Sequence, residues 1–249
     1  MGWQVGDSKT ITLNGTVGTL ALDNYQCKVY IIGFDHNAEK EGQGISFGML
    51  EGIDGKQLCL VDKDYDTDTS ELMAFTMNTS QTNAGGWKAA KMRKTILGST
   101  DVENGDATPN TITNPATNTL MAALPADLRA VLKPLTKYTN NVGQSSEASA
   151  ITPTIDYLPL MAEFEAFGTS VYANSNEKNY QTQYEYYNDN TSTSKIKYKQ
   201  NDVASAAYWW LRSPWHPYAY GFCTGTYNGT PNATNSPTIS YGLAPVFLV

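Results

Sequence analysis

The sequence predicts a single α+β domain over residues 1–249, built from short antiparallel strands and two or three short helices. Two kinds of pattern support this fold class. Alternating or apolar runs such as residues 9–13 and 27–34 are typical of strands, whereas the apolar spacing of residues 124–132 is typical of a helix. Hydrophobic residues make up 41% of the chain, which is enough to fill a core, and neither a repeat nor a linker divides it.

The predicted strands cluster at the two ends of the chain. Residues 9–13 (KTITL) alternate, the dipeptide Asn14-Gly15 favours a tight turn, and residues 19–22 predict the returning strand. Residues 27–34 (CKVYIIGF) are apolar enough to predict a strand that is buried on both faces. Residues 45–50 predict a further strand, and residues 241–249 predict a buried closing strand.

The predicted helices lie in the middle of the chain. Residues 88–97 follow the segment Gly85-Gly86-Trp87 and predict a short helix. Residues 124–132 predict a second helix, which Pro134 ends or kinks. Residues 156–167 (DYLPLMAEFEAF) predict a strand that runs into a short helix, with residues 159–163 as the first helical turn.

The balance of charge excludes several classes of partner. The formal net charge is −7 and no dense basic cluster is present, so the chain lacks the positive surface that nucleic acids require. No apolar run approaches the length of about 18 residues that a membrane span needs, so we predict no membrane insertion. The N-terminus has neither a cationic segment nor an apolar core, so no signal peptide is predicted.

The cysteines do not indicate a metal site or a disulfide scaffold. Cys27, Cys59 and Cys223 are odd in number, far apart and outside any metal-ligand spacing. The simplest interpretation is that they are buried reduced thiols.

The C-terminal stretch has the composition of a binding surface. After Arg212 no Lys, Arg, Asp or Glu occurs up to the last residue, and the segment is rich in Tyr, Asn and Thr. Tyr and Trp supply contact area with few rotatable bonds, while Asn, Ser and Gly adapt their hydrogen bonds. A polar hairpin without a partner would have a similar composition. The composition alone therefore does not distinguish a binding surface from an ordinary polar hairpin.

A second pattern distinguishes this stretch from an ordinary hairpin. From His216 onward the chain lacks Lys, Gln, Glu, Met and Trp, whereas the first 215 residues contain 45 residues of these five types. Every residue type that is present there can be reached from an Asn codon by replacing one or both adenines, and the five missing types cannot. Adenine-directed mutagenesis of an Asn-rich template predicts this outcome. A terminal strand also disfavours Lys and Glu.

Several motifs together resemble a known group of proteins. They are Gly85-Gly86-Trp87 with Met92-Arg93, residues 158–165 (LPLMAEFE), residues 184–187 (YEYY), residues 208–214 (YWWLRSP), residues 221–223 (GFC) and residues 241–247 (YGLAPVF). The chain resembles a large bacterial and phage family, many of whose members are variable proteins of diversity-generating retroelements. Val246 stands where this family pattern has Gly.

The resemblance implies a C-type-lectin-like fold, similar to the formylglycine-generating-enzyme branch. It implies that residues 209–212 form a scaffold strand and that a variable ligand-binding region lies at about 215–241. The expected ligand-binding residues in that region are Trp215, His216, Pro217, Tyr218, Tyr220, Thr224, Thr226, Tyr227, Thr230, Asn232, Thr234 and Asn235.

Other candidate sites have simpler explanations. Arg212 lies among aromatic residues, so we expect it to be buried and paired with a carboxylate such as Asp156 or Glu163 rather than to bind an anion. Asp62, Asp64, Asp66 and Asp68 have the spacing of the first ligand positions of a calcium-binding loop. The Gly and Glu that this loop requires are replaced by Thr67 and Met73, so no metal site is predicted.

Catalysis has little support in the sequence. His36 with Asp35 could act as an acid–base pair, but the sequence has no Ser or Cys in a nucleophile-elbow motif to accompany them. Glu163 and Glu165 are two residues apart and would not share one face of a helix. Cys223 alone does not justify transferring the activity of the formylglycine-generating relatives. We therefore predict neither catalytic residues nor a cofactor.

Three hypotheses from different classes follow. The first is a display protein, in a phage particle or the bacterial cytoplasm, whose diversified surface binds a protein or glycan on a cell surface. The second is an invariant phage component, such as a fibre knob or decoration protein, that contacts other virion proteins. The third is a hydrolase that uses Asp35, His36 or Glu163. The sequence favours the first and leaves the ligand and the oligomeric state open.

Overall fold

The computed structural model describes residues 2–100, 107–189 and 191–249. It has a mixed α+β fold in which small, mostly antiparallel sheets are joined by long irregular segments and short helices, in agreement with the predicted class. Among the described residues, no helix is both long and apolar enough to cross a lipid bilayer.

The largest sheet joins the two ends of the chain. Its strands are β1 (Ser8–Val17), β2 (Leu20–Phe34), β3 (Ile45–Glu51) and β12 (Val246–Leu248), and they pair antiparallel in the order β1-β2-β3-β12. In β12, Phe247 lies opposite Phe47 of β3, and the two rings stack with their centroids 5.3 Å apart. The predicted closing strand is therefore buried, although it is shorter than residues 241–249.

The first hairpin turns later than the sequence predicts. We expected the turn at Asn14-Gly15, but β1 continues past Gly15 with a bulge and turns at Gly18. Gly18 has a φ of +56°, and a Cβ atom there would lie 2.2 Å from the carbonyl oxygen of Met73. Only glycine fits this turn, so tertiary packing selects its position over the local Asn-Gly signal.

Three smaller sheets complete the β-structure of the described residues. The first contains β9 (Trp209–Pro214), β10 (Phe222–Gly225) and β11 (Pro231–Asn232), in the order β11-β10-β9. The other two contain β4 (Leu58–Cys59), β7 (Lys197–Lys199) and β8 (Asp202–Ala207), and β5 (Leu135–Asn140) with β6 (Ile151–Asp156). The β4–β7 pair is parallel, and the other strand pairs are antiparallel.

The described residues contain six α-helical segments of only four or five residues each, more than the two or three expected. They are α1 (Ala38–Glu41), α2 (Gly86–Ala89), α3 (Pro109–Thr113), α4 (Leu120–Ala123), α5 (Ala126–Arg129) and α6 (Glu163–Phe167). The predicted helix at residues 88–97 is divided into α2 and a π-helical turn, Met92–Ile96.

Helix α6 begins four residues later than predicted. Residues 159–163 were expected to form its first turn, but the backbone of residues 159–162 is not helical and their side chains are buried. The Glu165 carboxylate accepts a hydrogen bond from the Ala162 N–H at 3.0 Å, which satisfies a donor at the start of the helix. The apolar segment before α6 is therefore used to fill the core.

Strand β9 lies between two buried clusters. Trp210 belongs to a cluster with Phe75, Trp87 and Phe247. Trp209 and Leu211 belong to a second cluster that includes residues of β2. Side chains alternate across a strand, so consecutive apolar residues in β9 can fill both clusters. This strand is consequently a fixed support for the segment that follows it.

Candidate ligand-binding surface

The segment between β9 and β10, residues 215–221, carries three aromatic side chains that contact one another. We call this segment the display loop and these three side chains the aromatic cluster. The Trp215 ring centroid is 4.1 Å from that of Tyr218 and 5.3 Å from that of Tyr220, and the two tyrosine centroids are 5.9 Å apart. Tyr218 and Tyr220 are 46% and 43% exposed, whereas Trp215 is half-buried. The cluster therefore presents aromatic surface to solvent.

A buried asparagine from a distant part of the chain holds the display loop. The Asn83 side-chain amide donates to the carbonyl oxygens of Trp215 at 3.1 Å, Tyr218 at 2.9 Å and Gly221 at 3.1 Å. Its backbone N–H donates to the Ala219 carbonyl oxygen at 3.0 Å. These bonds restrain the loop backbone at four positions, so the aromatic cluster is presented by an ordered loop. No local sequence pattern marks Asn83, so its role could not be predicted from the sequence.

His216 and Pro217 lie at the edge of the aromatic cluster. The His216 N–H donates to the Tyr172 carbonyl oxygen at 2.9 Å, and its Nδ1 lies 3.5 Å from the Gln144 carbonyl oxygen. Pro217 is exposed. The display loop is thus flanked by two segments that lie outside the predicted site, one at Gln144 and one at Tyr172.

The structure corrects two of the residues expected on the surface. Thr224 and Thr226 are buried. Thr224 Oγ1 donates to the Asn232 carbonyl oxygen at 3.3 Å, and Thr226 Oγ1 bonds with Asn228 and with both the carbonyl and the hydroxyl of Thr230. The Thr224 hydroxyl bonds across the β10–β11 pair and the Thr226 hydroxyl holds the turn, so neither side chain is displayed.

The remaining expected residues lie along the β10–β11 hairpin and after it. Tyr227 is 56% exposed and packs edge-on against Tyr208, with centroids 5.7 Å apart. Thr230 and Thr234 are exposed, and Asn232 and Asn235 are half-buried. The structure therefore divides the expected surface into the display loop, at one end of β10, and the Tyr227 turn at the other.

Beneath the display loop, β9 is anchored by a buried ion pair. Arg212 is inaccessible to solvent, and its Nη2 and Nη1 atoms lie 2.6 Å and 2.5 Å from the two Glu165 oxygens. Arg212 Nε also donates to Thr139 Oγ1 at 2.8 Å. Burial alone would raise the pKa of the Glu165 carboxyl, but the charges of Arg212 and Lys137 hold it well below its usual range.

The expected partners of Arg212 were wrong, although its buried structural role is confirmed. Asp156 instead accepts from Arg93 Nε at 2.6 Å and from Ser99 Oγ at 2.7 Å. Glu163 accepts backbone N–H bonds from residues 171–173, the shortest from Ala173 at 2.7 Å. Burial raises the pKa of the Glu163 carboxyl, and these N–H donors oppose that increase. Glu163 therefore holds the segment against which His216 rests.

A second buried carboxylate ties β9 to β5. Glu177 accepts from Ser213 Oγ at 2.7 Å and from the Asn140 N–H at 2.9 Å. Burial raises the pKa of this carboxyl. Ser213 and Asn140 lie in strands of different sheets, so Glu177 fixes the position of β9 directly before the display loop.

The three residues considered for catalysis have structural contacts of their own. Asp35 is exposed, and its carboxylate accepts the Gly44 N–H at 3.0 Å. His36 is buried and stacks on Tyr184 with centroids 3.8 Å apart. Burial lowers the pKa of His36 to about 3, so the imidazole is neutral at physiological pH. Glu163 holds the segment described above.

The acidic stretch that begins at Asp62 is used to join distant segments. The Asp62 carboxylate accepts the Phe75 N–H at 2.7 Å, the Asp64 N–H at 3.0 Å and the Ser240 hydroxyl at 2.7 Å. Within residues 2–100, 107–189 and 191–249, no group of three or more His, Cys, Asp or Glu side chains is placed to hold a metal ion.

Comparison with known proteins identifies the family of this chain. No curated protein and no solved structure matches it. The model of a domain of unknown function, DUF6273, matches residues 67–249, which include the display loop, β9 and the buried network beneath them. Since this match covers well over half of the sequence, the chain belongs to the DUF6273 family.

Proposed function

We propose that this protein displays a ligand-binding surface formed by the display loop and the β10–β11 hairpin, and that the surface binds a protein or a glycan. The observation that carries the proposal is the aromatic cluster. Its two tyrosine rings are exposed beside the half-buried Trp215, and all three lie in a segment without charged side chains whose backbone Asn83 restrains. Exposed aromatic groups on a rigid support reduce the entropy lost on binding, which is the property a recognition surface needs.

We further propose that a diversity-generating retroelement varies this surface. The support is the restricted set of residue types after Trp215, together with the division between fixed and exposed positions. Side chains in β9 are buried, whereas Tyr218, Tyr220 and Tyr227 in the following segment are exposed. Substitution at exposed positions changes recognition at little cost in stability, so variation would be tolerated there.

The C-type-lectin-like fold is part of the same proposal. It is supported by the sequence motifs together with two structural features. Strands from the two ends of the chain belong to one sheet, because β12 pairs with β3. A separate small sheet, formed by β9, β10 and β11, carries the proposed surface. Superposition of an experimental structure on C-type-lectin-like domains would test this assignment.

Deep sequencing of the coding region across a natural population tests the proposed diversification. We expect variation confined to adenine-derived codons between residues 215 and 241, with a near-copy of this stretch nearby that differs only at adenines. Codons 158–165 and 208–214 serve as the internal control, because all their residues except Phe164 and Tyr208 are buried and the framework they encode should remain constant. A uniform sequence, or variation spread along the chain, would count against diversification and favour a fixed structural or enzymatic protein.

A further inference from the structure

Building on the proposed display function, we propose that the aromatic cluster binds a pyranose ring of an uncharged glycan and does so without a metal ion. The proposal concerns Trp215, Tyr218 and Tyr220, together with threonine and asparagine side chains of residues 222–235. It narrows the ligand from a protein or glycan to one chemical class, on grounds of shape and charge.

The shape of the cluster suits a sugar ring. A pyranose has a face of C–H groups and a rim of hydroxyl groups, so it packs on an aromatic ring while its hydroxyls remain available for hydrogen bonds. Two tyrosine rings that are nearly half exposed pack around the half-buried indole of Trp215. Aromatic surface of this kind offers the C–H face a contact area that needs little rearrangement.

The display loop is already ordered, which favours a small ligand. A single sugar unit buries little area, so its binding cannot offset the cost of ordering a flexible loop. Asn83 removes most of that cost by holding the carbonyl groups of Trp215, Tyr218, Ala219 and Gly221. A protein partner could offset such ordering with a larger interface, whereas a sugar requires the ordered state that the structure already has.

The charge of the segment excludes other classes of glycan. Residues 213–249 contain no Lys or Arg, so a sulfate or carboxylate group on a sugar would find no cation there. The same residues contain no Asp or Glu, so they cannot provide the carboxylate oxygens that bridge a sugar through calcium. The polar side chains there include threonine hydroxyls and asparagine amides, which match the hydroxyl rim of a neutral sugar. Among them, Asn235 is half-buried and Thr234 is exposed, with its hydroxyl donating to Asn232 Oδ1 at 3.0 Å and able to accept a further hydrogen bond.

Affinity electrophoresis of the full chain in gels that contain defined polysaccharides tests this proposal. The neutral probes are mannan, galactan, xyloglucan, mixed-linkage β-glucan and soluble chitin oligosaccharides, and the anionic probes are polygalacturonate and dextran sulfate. We expect at least one neutral probe to retard the protein, equally with and without EDTA, and neither anionic probe to do so. Tyr218→Ala and Tyr220→Ala should each weaken the retardation by about tenfold.

The matched control is Trp3→Ala, which removes an exposed aromatic side chain that lies outside residues 213–249. It should leave the retardation unchanged, and all three variants should keep the melting temperature of the parent chain within about 3 °C, because their side chains are exposed. Failure of every neutral probe, loss of binding with EDTA, or unchanged binding by both tyrosine variants would overturn the glycan proposal. The population sequencing tests the proposed diversification separately, so the glycan proposal and the diversification proposal can fail independently.

Discussion

At the scale of single residues, the site depends on side chains that lie outside it. Asn83 is 132 residues from Trp215 in the chain, yet its amide reaches three carbonyl groups of the display loop. Glu163 and Glu177 likewise hold the segments that flank the loop, at residues 171–173 and at Ser213. Each is a buried polar group whose hydrogen bonds are made only in the folded chain. Loss of one of these side chains should therefore lower the free energy of unfolding and also alter the position of the display loop.

We predict that Asn83→Ala loosens the display loop. The variant loses the buried amide whose two N–H groups reach three carbonyl oxygens, and it leaves carbonyl groups unsatisfied, so the free energy of unfolding should fall by about 2 kcal/mol. Hydrogen exchange of the amides at residue 216 and at residues 218–221 should accelerate in the native state. The control is Gln81→Ala, at an exposed position close to Asn83, which should change neither quantity. Unaltered exchange in Asn83→Ala would show that other contacts hold the loop.

We predict that Arg212→Met is strongly destabilising. It leaves the Glu165 carboxylate buried with Lys137 as its remaining cationic partner, 3.0 Å away, and the loss of one member of a buried pair costs about 3–5 kcal/mol. Urea denaturation measures this change. Lys63→Met removes the exposed partner of Asp64 and should leave the unfolding free energy nearly unchanged. A similar small effect for Arg212→Met would contradict a role for the pair in stability.

Glu177 should make stability depend on pH. Burial raises its folded-state pKa above the usual value of 4.5, so the folded chain binds the proton more tightly than the unfolded chain. Its contribution is therefore fully present below about pH 4.5 and is lost as the pH rises through the folded-state pKa. Glu177→Gln should reduce the loss of unfolding free energy between pH 5 and neutrality.

Urea denaturation at several pH values measures this slope. Glu185→Gln is the matched control, because Glu185 is exposed and is replaced by the same residue. Its slope should equal that of the parent chain. An identical slope in Glu177→Gln would show that the carboxyl has the same pKa in both states.

At the scale of elements, β9 and the β10–β11 hairpin have different roles. Every residue of β9 is buried, and its alternating side chains join two core clusters. The hairpin is short, and its turn is closed by side-chain hydrogen bonds of Thr226 rather than by a long ladder of paired strands. The support of the surface is therefore specified by core packing, and its outer edge by a local polar network.

We predict that Thr226→Val destabilises this turn. Valine keeps the shape of threonine but removes the hydroxyl that bonds with Asn228 and Thr230, so the unfolding free energy should fall by about 1–2 kcal/mol. Thr234→Val is the control, because Thr234 is exposed and should tolerate the change. Thermal unfolding compares the two. An equal, small effect would mean that Thr226 can be varied like an exposed position.

At the scale of the whole molecule, the region that matches the family model is shorter than the region that forms the folded core. The matched region is residues 67–249, but its strand β12 pairs with β3, which lies before that region. Strands β1, β2 and β3 all come from residues 8–51. The core of the matched region is therefore completed by the preceding residues.

We predict that a fragment of residues 67–249 does not fold on its own. Without β1, β2 and β3, Val246 and Phe247 lose the sheet that covers them, and the exposed apolar surface favours aggregation. The full chain should unfold in a single cooperative transition by circular dichroism and by fluorescence. The fragment should show no transition with the same probes. A sharp transition near the temperature of the full chain would show that the matched region is an independent unit.

The sequence by itself determined the features that depend on local patterns. Apolar runs mark β2 and the buried closing segment, because the transfer of apolar side chains from water to the core lowers the free energy of the folded chain. The absence of charge after Arg212 is read directly from the sequence. The burial of Arg212 was predictable because it lies among aromatic residues, and a buried partner was expected because charged groups are rarely buried without one. The exposed positions Tyr218, Tyr220 and Tyr227 follow from the same composition.

Only the tertiary structure decided which residues meet. It moved the first turn to Gly18 and delayed the start of α6, because contacts with distant segments outweighed the local signals. It paired Arg212 with Glu165 and buried Thr224 and Thr226. It also brought Asn83 to the display loop. Hydrogen-bond partners far apart in the chain leave no periodic pattern, so their pairing is specified only when the whole core is assembled.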